Sequence, residues 1–114
     1  MAVTQKMVQQ LRKRDPYCVH CGESDGLQVH HRRNRAMGGS KLLDRYDNLI
    51  RVCATLNYAM EADAEVAQEA LDNGWKLKSW DDFSKPVFDK MAQTWWHLDK
   101  DGNKTETIES QSLF

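Results

Sequence analysis

Apolar residues recur every three to four positions in TQKMVQQLRKR (residues 4–14), where Met7, Val8 and Leu11 share a face, and this predicts an opening helix. Thr4 is a capping residue type at its start, and Asp15-Pro16 stops it. CVHCGESDG follows as a tight loop rich in turn residues. The period then shortens to two. LQVHH (27–31) reads as a strand with Leu27 and Val29 on one face. RRNRAMGGSKLLDRYDN (32–48) follows neither period and reads as a long irregular loop with Gly38-Gly39 as its flexible point. NLIRVCATLNYAMEADAEVAQEALDN starts with a short apolar piece and continues as one strong helix closed by Gly74. Ala59, Ala62, Val66, Ala70 and Leu71 form its packed face. WKLKSW (75–80) alternates like a short strand, and TWWHLDKDGNKTETI (94–108) reads as a hairpin turning at Asp101-Gly102. The tail ESQSLF has no anchor and is expected to be mobile.

Composition narrows the classes. With 114 residues, one domain is the default, and a chain this short gains from a metal staple or from loops tied down locally. No run of eighteen apolar residues exists, so no membrane span is expected. The N-terminal stretch has no apolar signal core, which predicts a cytoplasmic protein. Three cysteines, an odd number, argue against a disulfide framework and for free thiols or metal ligands. The net charge of -1 conceals an asymmetry: residues 1–53 carry ten basic and five acidic side chains, and residues 54–114 carry six and twelve. A basic front half suits a phosphate surface, and solubility alone is the bland alternative.

Three sequence features carry chemistry. In Cys18-Val19-His20-Cys21-Gly22 the two cysteines are spaced to clamp one metal, and Cys53 can add a third sulfur. A zinc site is one reading; three reduced cysteines packed as small apolar groups is the other. The position that would complete a second CxxC pair holds Leu56, and His20 is awkwardly placed for the same ion. His30-His31 end a strand and are followed at once by Arg32, Arg33 and Arg35. An imidazole near its working pKa can take a proton from water at neutral pH, whereas two surface histidines in a basic loop is the plain reading. Asn48, seventeen residues after His31, can bridge backbone groups and hold the loop against the strand, or simply serve a turn. The tryptophans Trp75, Trp80, Trp95 and Trp96 read as core rather than base-stacking platforms, and His97 beside them as structural.

In combination these features resemble the HNH (ββα-metal) endonucleases. The order is CxxCG, strand, HHRR, a GGS loop, D-N-L, an apolar step, Cys53 and a helix. The loop Arg35-Ala36-Met37-Gly38-Gly39-Ser40, Gly74-Trp75, Ser79-Trp80-Asp81-Asp82 and Pro86-Val87 extend the likeness toward small HNH proteins of actinobacterial phages, over roughly residues 7–105. The resemblance implies an α+β fold: a ββα-metal core at about 15–75 with an N-terminal helix, a C-terminal hairpin extension at 76–108 and a flexible tail at 109–114, all one domain. It also implies His30 as a metal ligand, His31 as the base that activates water and Asn48 as the residue that orients it. The third motif position departs from the usual His: it falls on Asn57, whose carbonyl oxygen suits Mg²⁺ or Mn²⁺. Aligned on Gly74-Trp75 instead, that region falls on Ala59 and Met60 and supplies no ligand.

The expected function is a metal-dependent DNA endonuclease, using Mg²⁺, Mn²⁺ or Ni²⁺, that nicks or cuts with weak sequence preference. Arg32, Arg33, Arg35 and Arg51 are its expected phosphate partners, although for each alone a solvated surface role is the simpler reading. The alternative is a catalytically degenerate HNH fold that binds DNA or a phage or host protein, with the acidic back half as a docking face. Either way the resemblance implies a phage protein acting in the host cytoplasm.

Overall fold

The computed structural model describes residues 3–33 and 41–108. The expectations for Arg35, for the Gly38-Gly39 loop point and for the tail 109–114 lie outside the described residues. Helix α1 spans Gln5–Arg14; Thr4 Oγ1 accepts from Met7 N at 3.1 Å, and the Asp15 N–H closes the last turn onto Leu11 O. Leu11 is fully buried against Val3 and Leu49, with Met7, Val8, Val29 and Tyr46 around them. Arg14 ties this helix down from its buried position. It pairs with Asp15 at 2.7 Å and donates to the carbonyls of Tyr46 and Leu49.

Strands β1 (Gln28–His31) and β2 (Leu49–Val52) pair antiparallel, with Gln28 opposite Val52 and His31 opposite Leu49. β2 leads through Cys53 into helix α2 (Ala54–Ala62). A second helix, α3 (Ala64–Asp72), follows after a single residue. The one long helix expected here is therefore two. Asp63 is the reason: its side chain accepts from Glu65 N at 2.9 Å and from Val66 N at 3.3 Å, so it ends one helix and caps the next. The expected packed face shifts as well. Leu56 and Met60 are the buried residues of α2, whereas Ala62 is exposed.

A separate antiparallel sheet holds β3 (Val87–Asp89), β4 (Thr94–Leu98) and β5 (Lys104–Thr107) in that order. The expected C-terminal hairpin is β4–β5; β3, only three residues long, has too little pattern to be read from sequence. The strand expected at 75–80 does not form. Its backbone is drawn into other bonds: Leu77 N donates to Arg32 O at 2.7 Å and Lys78 N to the Asp81 carboxylate at 2.8 Å. Trp75 is completely buried in the main core with Ile50, Val52, Leu56, Met60 and Val87, and its indole N–H donates to Phe88 O at 2.8 Å. Gly74 makes that placement feasible. Its φ is +75°, and a Cβ there would lie 1.9 Å from Pro86 O. Trp80, by contrast, is exposed, and Trp95 and Trp96 are half-buried.

Candidate functional site

The β1–β2 pair carries chemistry at both of its ends. At one end lie the two histidines. Successive strand residues point to opposite faces, so His30 turns toward the main core and His31 away from it. His30 Nε2 lies 2.9 Å from Trp75 O. Burial pushes the imidazole down to about 4, against the opposing pull of that carbonyl. The ring is therefore neutral at pH 7. A carbonyl only accepts, so Nε2 carries the proton and Nδ1 the lone pair. A ring held this way, with one N–H on a backbone carbonyl, is how metal-ligating histidines are oriented.

His31 Nε2 lies 2.6 Å from Asp44 Oδ1, and the Asp44 carboxylate is almost wholly shielded from solvent while His31 is partly open. The carboxylate fixes the ring and its tautomer, leaving Nδ1 as the basic nitrogen. Asp44 was not marked by sequence reasoning. It sits thirteen residues from its partner across an irregular loop, and no motif spacing announces it.

Asn48 is fully buried and latches that loop at both ends. Its Oδ1 accepts from Arg33 N at 2.8 Å, and its Nδ2 donates to Leu43 O at 2.9 Å and Arg33 O at 3.2 Å. Its own carbonyl accepts from Arg32 N at 2.8 Å.

The arginines divide. Arg32 was expected at a phosphate, but it has no exposed surface. Its guanidinium donates to the carbonyls of Gly74, Asp47, Phe83 and Lys85, which pins the 74–85 segment against the hairpin. Burial lowers its pKa to about 9, so the guanidinium remains charged at neutral pH. A side chain this committed cannot neutralise DNA, and Arg32 is reassigned to the core. Arg33 is half-buried, donates to Ser79 O at 2.9 Å and stacks 4.3 Å from the Phe83 ring centroid. Arg45 stacks on the same ring at 4.5 Å and pairs with Asp47. Arg51 donates to Asp15 O at 2.9 Å, keeping part of its guanidinium open.

Asn57 donates to Gln28 Oε1 at 2.7 Å, leaving its own amide oxygen uncommitted among the described residues. Glu61, one turn further along α2, is the carboxylate whose field reaches His30, and it also pairs with Lys76 Nζ at 2.9 Å. Sequence reasoning passed over Glu61, although its i+4 relation to Asn57 places both on one face of the helix. In donor chemistry the amide oxygen of Asn57 suits a hard divalent ion, whereas the lone-pair nitrogen of His30 suits a transition metal.

At the other end of the hairpin lie the cysteines. Cys18 and Cys21 come from the turn before β1, and Cys53 is the N-cap of α2. Cys18 N donates to Glu23 O at 2.9 Å and Gly22 N to Cys18 O at 2.8 Å, which closes the turn. Gly22 has φ +79°, and a Cβ there would meet Met91 Sδ at 2.9 Å. The three Sγ atoms lie within 4.8 Å of one another and form the one such group of three ligating side chains among the described residues. A metal ion can be held here. Cys53 Sγ accepts from Leu56 N at 3.3 Å, but burial pushes its thiol up to about 11; a backbone N–H from Glu23 pulls the Cys21 thiol down. No fourth ligating side chain among the described residues joins the group: Leu56 is buried, and His20 stands edge-on to Trp75 with ring centroids 5.4 Å apart.

Comparisons with protein-family models, with characterised proteins and with solved structures find no match.

Proposed function

We propose that the chain is an HNH (ββα-metal) endonuclease that hydrolyses phosphodiester bonds in DNA, as a phage protein in the host cytoplasm. What supports the reading is the His31–Asp44 pair on a hairpin-then-helix unit whose connecting loop is latched by Asn48. Nδ1 of His31 takes a proton from the attacking water, and Asp44 holds the opposite nitrogen so that the imidazolium formed is stabilised. Asn48 keeps the loop and the base in register. A divalent ion (Mg²⁺, Mn²⁺ or Ni²⁺) held by His30 and Asn57 supplies, when bound, charge neutralisation at the phosphate. Arg33, Arg35 and Arg51 are the phosphate partners that remain once Arg32 is assigned to the core. The family resemblance suggests zinc at Cys18, Cys21 and Cys53, but the three sulfurs are one ligand fewer than a closed zinc site needs.

One observation favours a second reading, a degenerate HNH fold that binds DNA or a phage or host protein without cutting. The Lys76 ammonium sits on Glu61 beside His30, placing a fixed positive charge where a divalent cation would need attraction. Supercoiled-plasmid nicking separates the two. The expected result is nicking with Mg²⁺, Mn²⁺ or Ni²⁺ that EDTA abolishes, with binding that weakens in salt at a log–log slope of about -3 for three phosphate contacts. Binding with that slope but no cleavage in any metal selects the second reading. A flat salt response removes DNA from both.

A further inference from the structure

The sulfur cluster differs from a four-ligand zinc knuckle in one respect that changes what it can hold. Structural zinc sites are four-coordinate. Here three sulfurs converge beside a cleft of about 850 Å³ that Cys21 and Cys53 line together with His20, Thr55, Leu56 and Val66. No fourth ligating side chain among the described residues joins them, so a tetrahedral ion would have to take water as its fourth ligand, as open zinc sites do and structural ones do not. Glu23 and Asp25, both exposed, also line the cleft, but their carboxylates do not join the three sulfurs, and Glu23 Oε1 is engaged by the N–H groups of Ser24 and Asp25.

We propose that Cys18, Cys21 and Cys53 form a trigonal site for a trivalent, three-coordinate thiophilic ion of the arsenite class. Arsenous acid reacts with three thiols so that three arsenic–sulfur bonds form and three arsenic–oxygen bonds break. Each thiol proton leaves with a hydroxyl as water, and nothing is oxidised or reduced. The product is neutral and needs no fourth ligand, since a lone pair occupies the remaining direction and faces the cleft. Three sulfurs at about 2.3 Å from one pyramidal centre are about 3.4–3.5 Å apart. The present separations, all within 4.8 Å, need to close by about 1.4 Å at most. The Gly22 turn and the N-terminus of α2 fix the backbone from which that closure occurs. This site stands at the opposite end of the hairpin from the histidines and is independent of the nuclease reading.

The test uses the full reduced chain without oxygen or added thiols, titrated with arsenite. Native mass spectrometry should show one arsenic per chain with no oxygen retained, and X-ray absorption should show three sulfur neighbours. Cys21→Ser is the clean variant because that side chain is exposed; circular dichroism should match the parent and arsenite affinity should fall at least ten-fold. Leu56→Cys supplies a fourth sulfur and should raise zinc affinity at least ten-fold. The proposal is overturned by a parent complex with two sulfurs and a retained hydroxyl, or by unchanged affinity in Cys21→Ser. It is equally overturned by a parent that holds stoichiometric zinc which arsenite cannot displace, or by a Leu56→Cys chain with no gain in zinc affinity.

Discussion

The two ends of the β1–β2 hairpin solve opposite problems with polar side chains. At the histidine end nearly every polar group has a protein partner: His30 has the Trp75 carbonyl, His31 has Asp44, Asn48 has three backbone groups and Arg32 has four carbonyls. At the cysteine end three sulfurs converge, touched by the backbone N–H groups of Leu56 at Cys53 and of Glu23 at Cys21. Side chains committed to carbonyls fix geometry, whereas three sulfurs that converge on one point can take an ion. The difference explains why the arginine next to the histidine pair is structural although its sequence setting looks like a phosphate contact.

The sharpest way to break that contrast is Arg32→Ala. It leaves four carbonyls without their donor in the interior and should cost on the order of 3–5 kcal/mol, measured by urea unfolding. Arg33→Ala should cost far less, because its guanidinium lies at the surface. Near-equal stability of the two variants would return Arg32 to the list of phosphate partners.

Next in size is the base. His31→Ala should slow nicking by about 10²–10⁴-fold while plasmid affinity changes little, since a general base acts in the transition state rather than in binding. Asp44→Asn should lower the rate less and should shift its pH profile, because an amide cannot stabilise the imidazolium as a carboxylate does. A His31→Ala enzyme that nicks at the parent rate would remove the base from this end of the hairpin.

The third test reads the histidine end through pH. His30 titrates at about 4 when folded against 6.5 for the free side chain, so the unfolded chain binds the proton more readily. The stability this contributes is fully present above pH 6.5 and is lost as pH falls toward 4. Near 4 and below, the loss should reach on the order of 3 kcal/mol. Denaturant midpoints compared at pH 7 and pH 4.5 for the parent and for His30→Gln measure it. A parent no more acid-sensitive than the variant would mean that His30 is not held neutral by burial.

The smallest expected effect is at the cysteine end. Trp75, Leu11, Leu49, Met60 and Val52 are packed with almost no exposed surface, which gives the chain a core independent of metal. The purified protein should therefore carry less than one equivalent of zinc and keep its helical circular dichroism in EDTA. Stoichiometric zinc by elemental analysis, with helix loss on chelation, would show that the three sulfurs are a structural staple after all.

Much of this molecule is local and was legible. The Met7, Val8, Leu11 spacing with Thr4 before it specifies α1, because cap and period act within one turn. Alternation in LQVHH and the Asp101-Gly102 turn specify β1 and the β4–β5 pair for the same reason. The CxxC spacing brings two sulfurs together by itself. Other features depended on distant partners. The break at Asp63 was readable in principle, since Asp is a capping type, but the helical period on both sides of it outweighed that signal. The alternating WKLKSW lacks a strand beside it and is instead bound to Arg32 and Asp81.

The sequence by itself determined α1 and its face, the first strand, the C-terminal hairpin and which residues could ligate or titrate. Tertiary structure alone decided which of them do what. His31 acquires Asp44 because Asn48 holds Arg33 and Leu43 to one side chain, and Cys53 joins Cys18 because β1 and β2 pair in one register. Arg32 was the hardest to foresee. Its partners are backbone carbonyls, and a carbonyl is the one acceptor that every residue carries, so nothing in the order of side chains marks which four will surround it.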